Sequence, residues 1–166
     1  MFLFRIRDRL AGAPGAVMNR IRIAFPVLAF FFCSLGTATG LAPPVGPAGW
    51  AGMKKQILLP NGVRLNYVEL GNPKGEPLLL LHGYTDSSRS WSLTAPHLSE
   101  YRLLIPDQRG HGGSDAPACC YGSTQLADDA RLLLDALGIQ RAAVAGHSLG
   151  SIVAISGTER RERRLC

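Results

Sequence analysis

The chain has 166 residues, a length that allows one domain and scarcely two. Its formal charge of +6 suggests a basic protein, but nine Lys/Arg and nine Asp/Glu residues cancel between positions 42 and 156. The excess positive charge lies at the two ends of the chain, so the folded part has no basic face for nucleic acid. We therefore expect no nucleic-acid partner.

The N-terminal part carries a hydrophobic segment. In residues 18–40, two arginines precede an apolar core of 13 residues (23–35), and small residues follow it. This core is too short for a membrane span of ~20 residues, so a secretory signal peptide is predicted. The expected location is secreted or periplasmic, with membrane contact only through this segment. The alternative is an uncleaved N-terminal anchor. Residues 1–17 are interpreted as an extension from a start codon assigned too early.

Two further features concern the linker and the cysteines. Residues 41–53 are rich in Pro, Gly and Ala and are predicted to be a linker between signal and domain. The four cysteines form neither a spaced disulfide framework nor a zinc-binding pattern. Cys119 and Cys120 are adjacent, and we interpret them as an incidental pair in a loop rather than a redox site. No metal or organic cofactor is expected.

The predicted domain, residues 54–156, begins with strands. The runs 55–59 and 64–70 flank the turn signal PNG, which predicts a β-hairpin. Residues 77–81 (PLLLL) and 101–105 (YRLLI) are short apolar runs typical of buried strands. Between them, a short helix limited or divided by Pro96 is predicted to present one apolar face, made of Trp91, Leu93 and Leu98.

The clearest helix is predicted over residues 123–137. Ser123 or Thr124 can cap it, acidic residues lie near its positive end, and Gly138 ends it. Its leucines and alanines fall on one face. Strands that alternate with helices through short loops predict a parallel sheet covered on both faces.

A tight turn follows the next strand. Residues 142–145 are apolar, GHSLG turns the chain at 146–150, and 149–155 are suited to a helix. A serine two residues from each of two glycines fits a strand-to-helix turn that pushes the side chain outward. This is the nucleophile-elbow pattern G-x-S-x-G, with Ser148 as the nucleophile. An ordinary turn between a strand and a helix is the alternative.

Three ordered motifs together resemble the α/β-hydrolase superfamily: HGY at 82–84, DQRGHGGS at 107–114 and GHSLG at 146–150. The second motif has no Walker lysine and no dinucleotide-binding spacing, so a structured turn is expected there rather than a phosphate cradle. The resemblance covers residues 54–156. It implies the N-terminal half of an α/β-hydrolase fold, in which an antiparallel hairpin leads into a mostly parallel sheet with helices on both faces.

The resemblance also implies chemical roles. Ser148 would attack a carbonyl carbon, and the backbone N–H groups of Tyr84 and Leu149 would form the oxyanion hole. Epoxide hydrolases and haloalkane dehalogenases carry aspartate at the position of Ser148. Serine there favours a small-molecule acyl substrate, such as an ester, and an esterase-, lipase- or lactonase-like activity.

The rest of the family's triad is missing. In this family the order is serine, acid, histidine. After Ser148 the only carboxylates are Glu159 and Glu162, and no histidine follows. We expect this chain to be inactive, and the alternative function is a non-catalytic fragment or a ligand-binding protein with a hydrolase-derived fold. The four histidines lie at positions that the family does not use for its base: His82, His97, His111 and His147.

The last residues depart from the family. Residues 157–166 are charged and have no apolar stripe, although family members continue the elbow helix there. We interpret them as a non-family tail and expect a truncated chain. With the family's strand order, residues 142–145 would then form an open apolar edge, which favours aggregation or pairing with another chain.

Overall fold

The computed structural model describes residues 2–5 and 46–163, so the predicted signal peptide at 18–40 lies outside the described residues. The described strands form one mixed sheet in the order β1-β6-β4-β5-β3-β2. They are β1 (Phe2–Arg5), β2 (Lys55–Leu58), β3 (Arg64–Gly71), β4 (Pro77–Leu81), β5 (Arg102–Pro106) and β6 (Ala143–Gly146). The described helices are α1 (Pro47–Gly52), α2 (Ser123–Ala136) and α3 (Leu149–Arg163), with 3₁₀ helices at Ser88–Trp91 and Ala95–Leu98.

The predicted α/β fold is confirmed. β2 and β3 form the expected hairpin, closed by a hydrogen bond of 2.9 Å from Leu59 N–H to Val63 O. Gly62 in that turn has φ +82°, which glycine adopts without steric cost. β3 runs antiparallel to β5, whereas β5, β4 and β6 are parallel to one another. The hairpin therefore leads into a parallel centre.

Both faces of the sheet are covered, as strand alternation requires. Leu79 and Leu81 on β4 belong to the core under α2 and α3. Leu78 and Leu80 face the opposite side, where Trp50 of α1 and Trp91 lie. The PLLLL run is buried on both sides because each face of the central strand packs against its own layer.

Helix α2 matches its predicted span but not its predicted cap. The N-cap residue is Gly122, and no side chain caps the helix, so the predicted capping by Ser123 or Thr124 is wrong. Ser123 Oγ instead accepts a 3.1 Å hydrogen bond from Ser156 Oγ of α3. Gly138 ends the helix with φ +69°, as predicted.

The predicted linker at 41–53 is folded at its C-terminal end. α1 buries Trp50 almost completely, and the Trp50 indole N–H donates a 3.1 Å hydrogen bond to Ser88 Oγ. The composition of residues 41–53 did not indicate a helix at this end, because burial of one large aromatic side chain contributes more free energy than its small neighbours.

The single apolar face predicted from Trp91, Leu93 and Leu98 is also wrong. Pro96 lies in the second of two 3₁₀ helices, and this break leaves Leu93 69% exposed while Trp91 is buried. A proline in the interior of one continuous helix would have removed a backbone hydrogen bond.

The edge of β6 is not open in this structure. β1 pairs with it antiparallel, from Phe2 opposite Gly146 to Arg5 opposite Ala143. The expected bare edge is therefore wrong for a chain that keeps its first residues. Helix α3 also continues beyond residue 157 to Arg163, so the charged segment continues the elbow helix instead of ending it. None of the described helices is long and apolar enough to cross a membrane.

Candidate active site

The turn between β6 and α3 has the geometry of a strained elbow. Ser148 has φ +51°, in the left-handed region that side chains disfavour, and the residue is exposed. A Cβ on Gly146 would lie 2.3 Å from the backbone of Gly150, and a Cβ on Gly150 would lie 2.2 Å from Leu81 O. Both glycines are needed because strand and helix backbones touch there. The alternative of an ordinary turn does not explain this close approach.

The HGY turn lies directly beside the elbow. A Cβ built on Gly83 would be 2.9 Å from His147 Nδ1 and 3.4 Å from Ser148 Cβ. The backbone N–H of His147 donates a 3.0 Å hydrogen bond to Leu81 O, at the end of the neighbouring strand β4. The two motifs, distant in sequence, therefore meet at one edge of the sheet.

The two amides predicted for the oxyanion hole flank this point. Leu149 begins α3, where the first N–H groups have no intrahelical acceptor. Tyr84 follows Gly83, and its side chain is 72% exposed. Neither the Tyr84 nor the Leu149 N–H donates a hydrogen bond within the described part of the chain.

His82 ties the HGY turn to the DQRG loop. The ring is fully buried; its Nδ1 lies 2.7 Å from Gly83 O, and its Nε2 accepts a 3.0 Å hydrogen bond from Gln108 N–H. These partners fix a neutral ring protonated on Nδ1. Burial lowers the pKa of His82 from its ordinary value, which outweighs the opposing effect of Gly83 O. His82 therefore acts as a structural clamp.

Asp107 anchors the other end of that loop. Its buried carboxylate accepts hydrogen bonds from Ser88 N–H (2.8 Å), Gly113 N–H (2.8 Å) and Lys54 Nζ (2.5 Å). Burial alone would raise the pKa of Asp107, but these donors outweigh it and hold the pKa below its ordinary value. A Cβ on Gly112 would lie 2.2 Å from Asp107 Oδ2, so the loop must close tightly around the carboxylate.

Arg109 joins the same loop to α2. Its guanidinium forms a two-pronged pair with Asp129, with distances of 2.5 Å and 2.6 Å, and it donates a 2.9 Å hydrogen bond to Cys120 O. The hydrogen bond with Asp129 raises the pKa of Arg109. Asp129 is buried and also accepts a hydrogen bond from Asn61 Nδ2. It therefore ties three segments together, whereas the sequence predicted only an acidic residue near the positive end of α2.

The four histidines all lie among the described residues. Within the described residues, no histidine ring hydrogen-bonds Ser148 Oγ. His147 is exposed beside the elbow, and His97 is exposed on the second 3₁₀ helix. The His111 ring packs edge-on against the rings of His82 and Tyr84. No group of three metal-binding side chains occurs among the residues described.

Sequence reasoning missed several residues that hold this site. Lys54 is the first residue of the predicted domain, and it is also the cation that pairs with Asp107. Ser88 and Trp50 complete the same network, and only the isolated tryptophan gave a signal in the sequence. The interpretation of Cys119 and Cys120 as an incidental pair is also wrong, because their sulfur atoms are bonded.

Comparisons with known proteins agree with this geometry. A family model described as the alpha/beta hydrolase fold matches residues 76–156. The chain belongs to the α/β-hydrolase superfamily. Among curated members of the superfamily, Epoxide hydrolase A of Mycobacterium tuberculosis (strain ATCC 25618 / H37Rv) is 41% identical over 97 residues, which cover 56% of this chain and 30% of that protein.

Two solved α/β-hydrolase structures show similar relationships. Epoxide Hydrolase A from Mycobacterium thermoresistibile has a TM-score of 0.59 and 37% identity, over 63% of this chain and 34% of that one. A membrane phospholipase A, described as a bacterial virulence factor, has a TM-score of 0.62 and 28% identity, over 66% and 36%. The chain thus spans about a third of the length of these superfamily members.

Proposed function

We propose that this chain carries the nucleophile-bearing part of a hydrolase that acts on carboxylic esters or related acyl compounds. Ser148 is the nucleophile, and the amides of Tyr84 and Leu149 stabilise the oxyanion. The observation that carries the proposal is the exposed Ser148 at positive φ, beside two amides without acceptors among the described residues. Donors placed in advance at the developing oxyanion are a major source of catalysis in acyl transfer.

Serine at the elbow favours acyl chemistry over epoxide opening. If Ser148 Oγ attacked an epoxide carbon, it would form an alkyl ether, which water does not readily cleave. Attack on an ester carbonyl forms an acyl-enzyme, which water can hydrolyse at the same carbonyl. The relatives named epoxide hydrolase support the fold and hydrolysis in general, while the relative named phospholipase A is by its name an ester hydrolase.

We further propose that the 166-residue chain does not turn over substrate. The sequence has no histidine after Ser148, and no histidine ring hydrogen-bonds Ser148 Oγ among the described residues. Without a base, an oxyanion hole supplies only residual catalysis, of order 10³-fold over water. The same observation supports the second candidate, a non-catalytic protein that uses the hydrolase fold to bind a ligand.

The test exposes the full chain to an activated acetyl ester, p-nitrophenyl acetate, and separately to styrene oxide. Trypsin cleavage after Arg141 and Arg160 isolates Ser148 on one peptide with Ser151 and Ser156. We expect slow acetylation of Ser148 that accumulates, since the missing base is also needed for deacylation. Styrene oxide should leave this peptide unmodified.

The control variants are Ser148→Ala, which should lose the modification, and Ser151→Ala, which should keep it. Acetylation no faster at Ser148 than at Ser151 would overturn the nucleophile and leave the binding role. A styrene oxide adduct on Ser148 of the unaltered chain would overturn the preference for acyl substrates.

We also propose that residues 18–40 direct secretion. Cleavage after residue 40 would remove β1 and expose the β6 edge, so a cleaved and an uncleaved chain differ in their sheets. Intact-mass measurement of exported material tests this proposal. Exported protein that still begins at Met1 or Met18 would contradict cleavage.

A further inference from the structure

Cys119 and Cys120 lie in the segment that joins the DQRG loop to α2. Their sulfur atoms are bonded although the residues are neighbours in sequence, with a Cα–Cα distance of 3.8 Å. Both residues are exposed. Exposed disulfides belong to the class that exchanges readily with thiols, unlike the buried ones that serve only structure.

A bond between neighbouring residues has little effect on the unfolded chain. Disulfides stabilise proteins mainly by closing a long loop in the unfolded state, and a loop between adjacent residues is the shortest that exists. The Cys119–Cys120 bond is therefore poorly suited to stabilising the whole domain. Its effect is confined to the local backbone.

That local backbone is unusual and is connected to the site. Cys120 has φ +75°, a region that a free cysteine disfavours, and its C=O accepts the hydrogen bond from Arg109. The next residue, Tyr121, lays its ring against Gly110, where an added Cβ would lie 2.6 Å from Tyr121 Cε1. The Tyr121 hydroxyl donates to Pro117 O, which closes the segment on itself.

The contacts continue towards the elbow. Gly110 precedes His111, and the His111 ring packs edge-on against Tyr84, with ring centroids 6.0 Å apart. Arg109 binds Asp129 through Nε and Nη2, whereas it binds Cys120 O through Nη1. The pair with Asp129 is therefore kept when the hydrogen bond to Cys120 is lost. A change at the cysteines thus reaches the DQRG loop through one hydrogen bond and one ring contact.

We propose that the Cys119–Cys120 pair is a thiol–disulfide exchange site whose redox state controls how firmly residues 116–122 hold the DQRG loop. A dithiol reductant attacks one sulfur through its thiolate and forms a mixed disulfide, and the other cysteine leaves as a thiolate. The second thiol of the reductant then releases the first cysteine. The pair gains two electrons and two protons, and the reductant becomes a disulfide.

Reduction opens the small ring that the Cys119–Cys120 disulfide closes, and this ring holds the Cys120 backbone in the left-handed region. Cys120 can then return to a common backbone conformation, and its C=O turns away from Arg109. The Tyr121 ring loses its fixed position against Gly110. The oxidised pair therefore keeps the segment closed on the DQRG loop, and the reduced pair releases it.

The test uses the full chain and dithiothreitol as the dithiol. Trypsin cleavage after Arg109 and Arg131 isolates both cysteines on one peptide, apart from the other two cysteines of the chain. Before reduction this peptide should be lighter by the two thiol hydrogens and should resist iodoacetamide. After reduction, amide hydrogen exchange in residues 108–122 should be faster by about tenfold and should recover on reoxidation.

The double variant Cys119→Ser/Cys120→Ser should show the fast exchange with or without dithiothreitol. Residues 77–81 in the central strand serve as the internal reference and should not change. Two free thiols in air-purified protein would overturn the proposal. So would unchanged exchange in residues 108–122 after mass spectrometry has shown complete reduction.

Discussion

The upstream loops and the elbow are held in opposite ways. The HGY turn and the DQRG loop are fixed by buried polar side chains, above all His82, Asp107 and Arg109. The elbow is fixed by backbone proximity at Gly146 and Gly150, and Ser148 Oγ has no hydrogen-bond partner among the described residues. The upstream loops are rich in hydrogen-bonded ionisable groups, whereas no such group hydrogen-bonds Ser148 Oγ at the elbow among the described residues.

This difference distinguishes the groups that position Ser148 and the two amides from the groups that would activate the serine hydroxyl. The side-chain network places the Tyr84 amide, and the glycines place Ser148 and the Leu149 amide. No titratable side chain hydrogen-bonds the Ser148 hydroxyl among the described residues. In the proposed function, this geometry serves attack on a carbonyl. Activation of the hydroxyl is a separate requirement, which the acid and the histidine of the triad meet in this family.

The largest expected effect is in the upstream network. Asp107→Ala leaves the Lys54 ammonium and two backbone N–H groups without their acceptor, so it should lower the free energy of unfolding by about 3–5 kcal/mol. Urea denaturation followed by tryptophan fluorescence measures this, because Trp50 and Trp91 are both buried.

The matched control for Asp107 is Asp135→Ala. The Asp135 side chain is about half exposed and pairs with Arg131 one helical turn away, so its loss should cost less than about 1 kcal/mol. Equal losses for the two aspartates would show that the buried network does not hold the loops.

The next largest effect distinguishes backbone from side-chain contact at the elbow. Gly150→Ala places a methyl group 2.2 Å from Leu81 O, so strand and helix must separate at a cost of about 1–3 kcal/mol. In Gly83→Ala the nearest obstacle is the exposed His147 ring, which can rotate away, and the loss should be smaller. Denaturation of the two alanine variants in parallel decides this, and a larger loss for Gly83→Ala would contradict it.

The sequence allowed prediction of what is local and repetitive. The hairpin, the PLLLL strand, α2 and the elbow follow from apolar periodicity and turn residues. The family resemblance pointed to Ser148, Leu149 and Tyr84, and the HGY turn does lie beside the elbow. Contacts between distant residues could not be predicted in this way. The Lys54–Asp107 pair and the pairing of β1 with β6 depend on three-dimensional packing, for which a single sequence carries no periodic signal.

A smaller effect tests the strain at Ser148. Glycine tolerates φ +51° and alanine does not, so Ser148→Gly should be more stable than Ser148→Ala by about 1 kcal/mol. At Ser151, inside α3, the order should reverse, because glycine is the poorer helix former by about 1 kcal/mol. The four free energies of unfolding form one comparison, and the same order at both positions would refute the strained elbow.

The smallest effect concerns pH. The pKa of His82 is lowered in the folded state, so the unfolded chain binds more protons below its ordinary pKa of about 6.5. The stability from neutral His82 is therefore complete above that pH and is lost as pH falls towards the folded value. The lowered pKa of Asp107 acts in the same direction, but below about pH 4.

His82→Gln provides the control for this pH dependence. Between about pH 7 and pH 5 its free energy of unfolding should change less with pH than that of the unaltered chain. His111, Asp107 and Asp86 also influence His82, so His111→Gln is measured alongside. An unchanged slope in His82→Gln would assign the pH dependence to another group.

The most direct test of the central claim is the pH dependence of Ser148 acetylation by p-nitrophenyl acetate, followed on its tryptic peptide. A serine that is positioned but not activated should react about tenfold faster for each pH unit between about 6 and 9, because hydroxide must remove its proton. A plateau above about pH 7 that disappears in His147→Gln would reveal a histidine base at the elbow. That result would contradict an elbow whose geometry is present without its base.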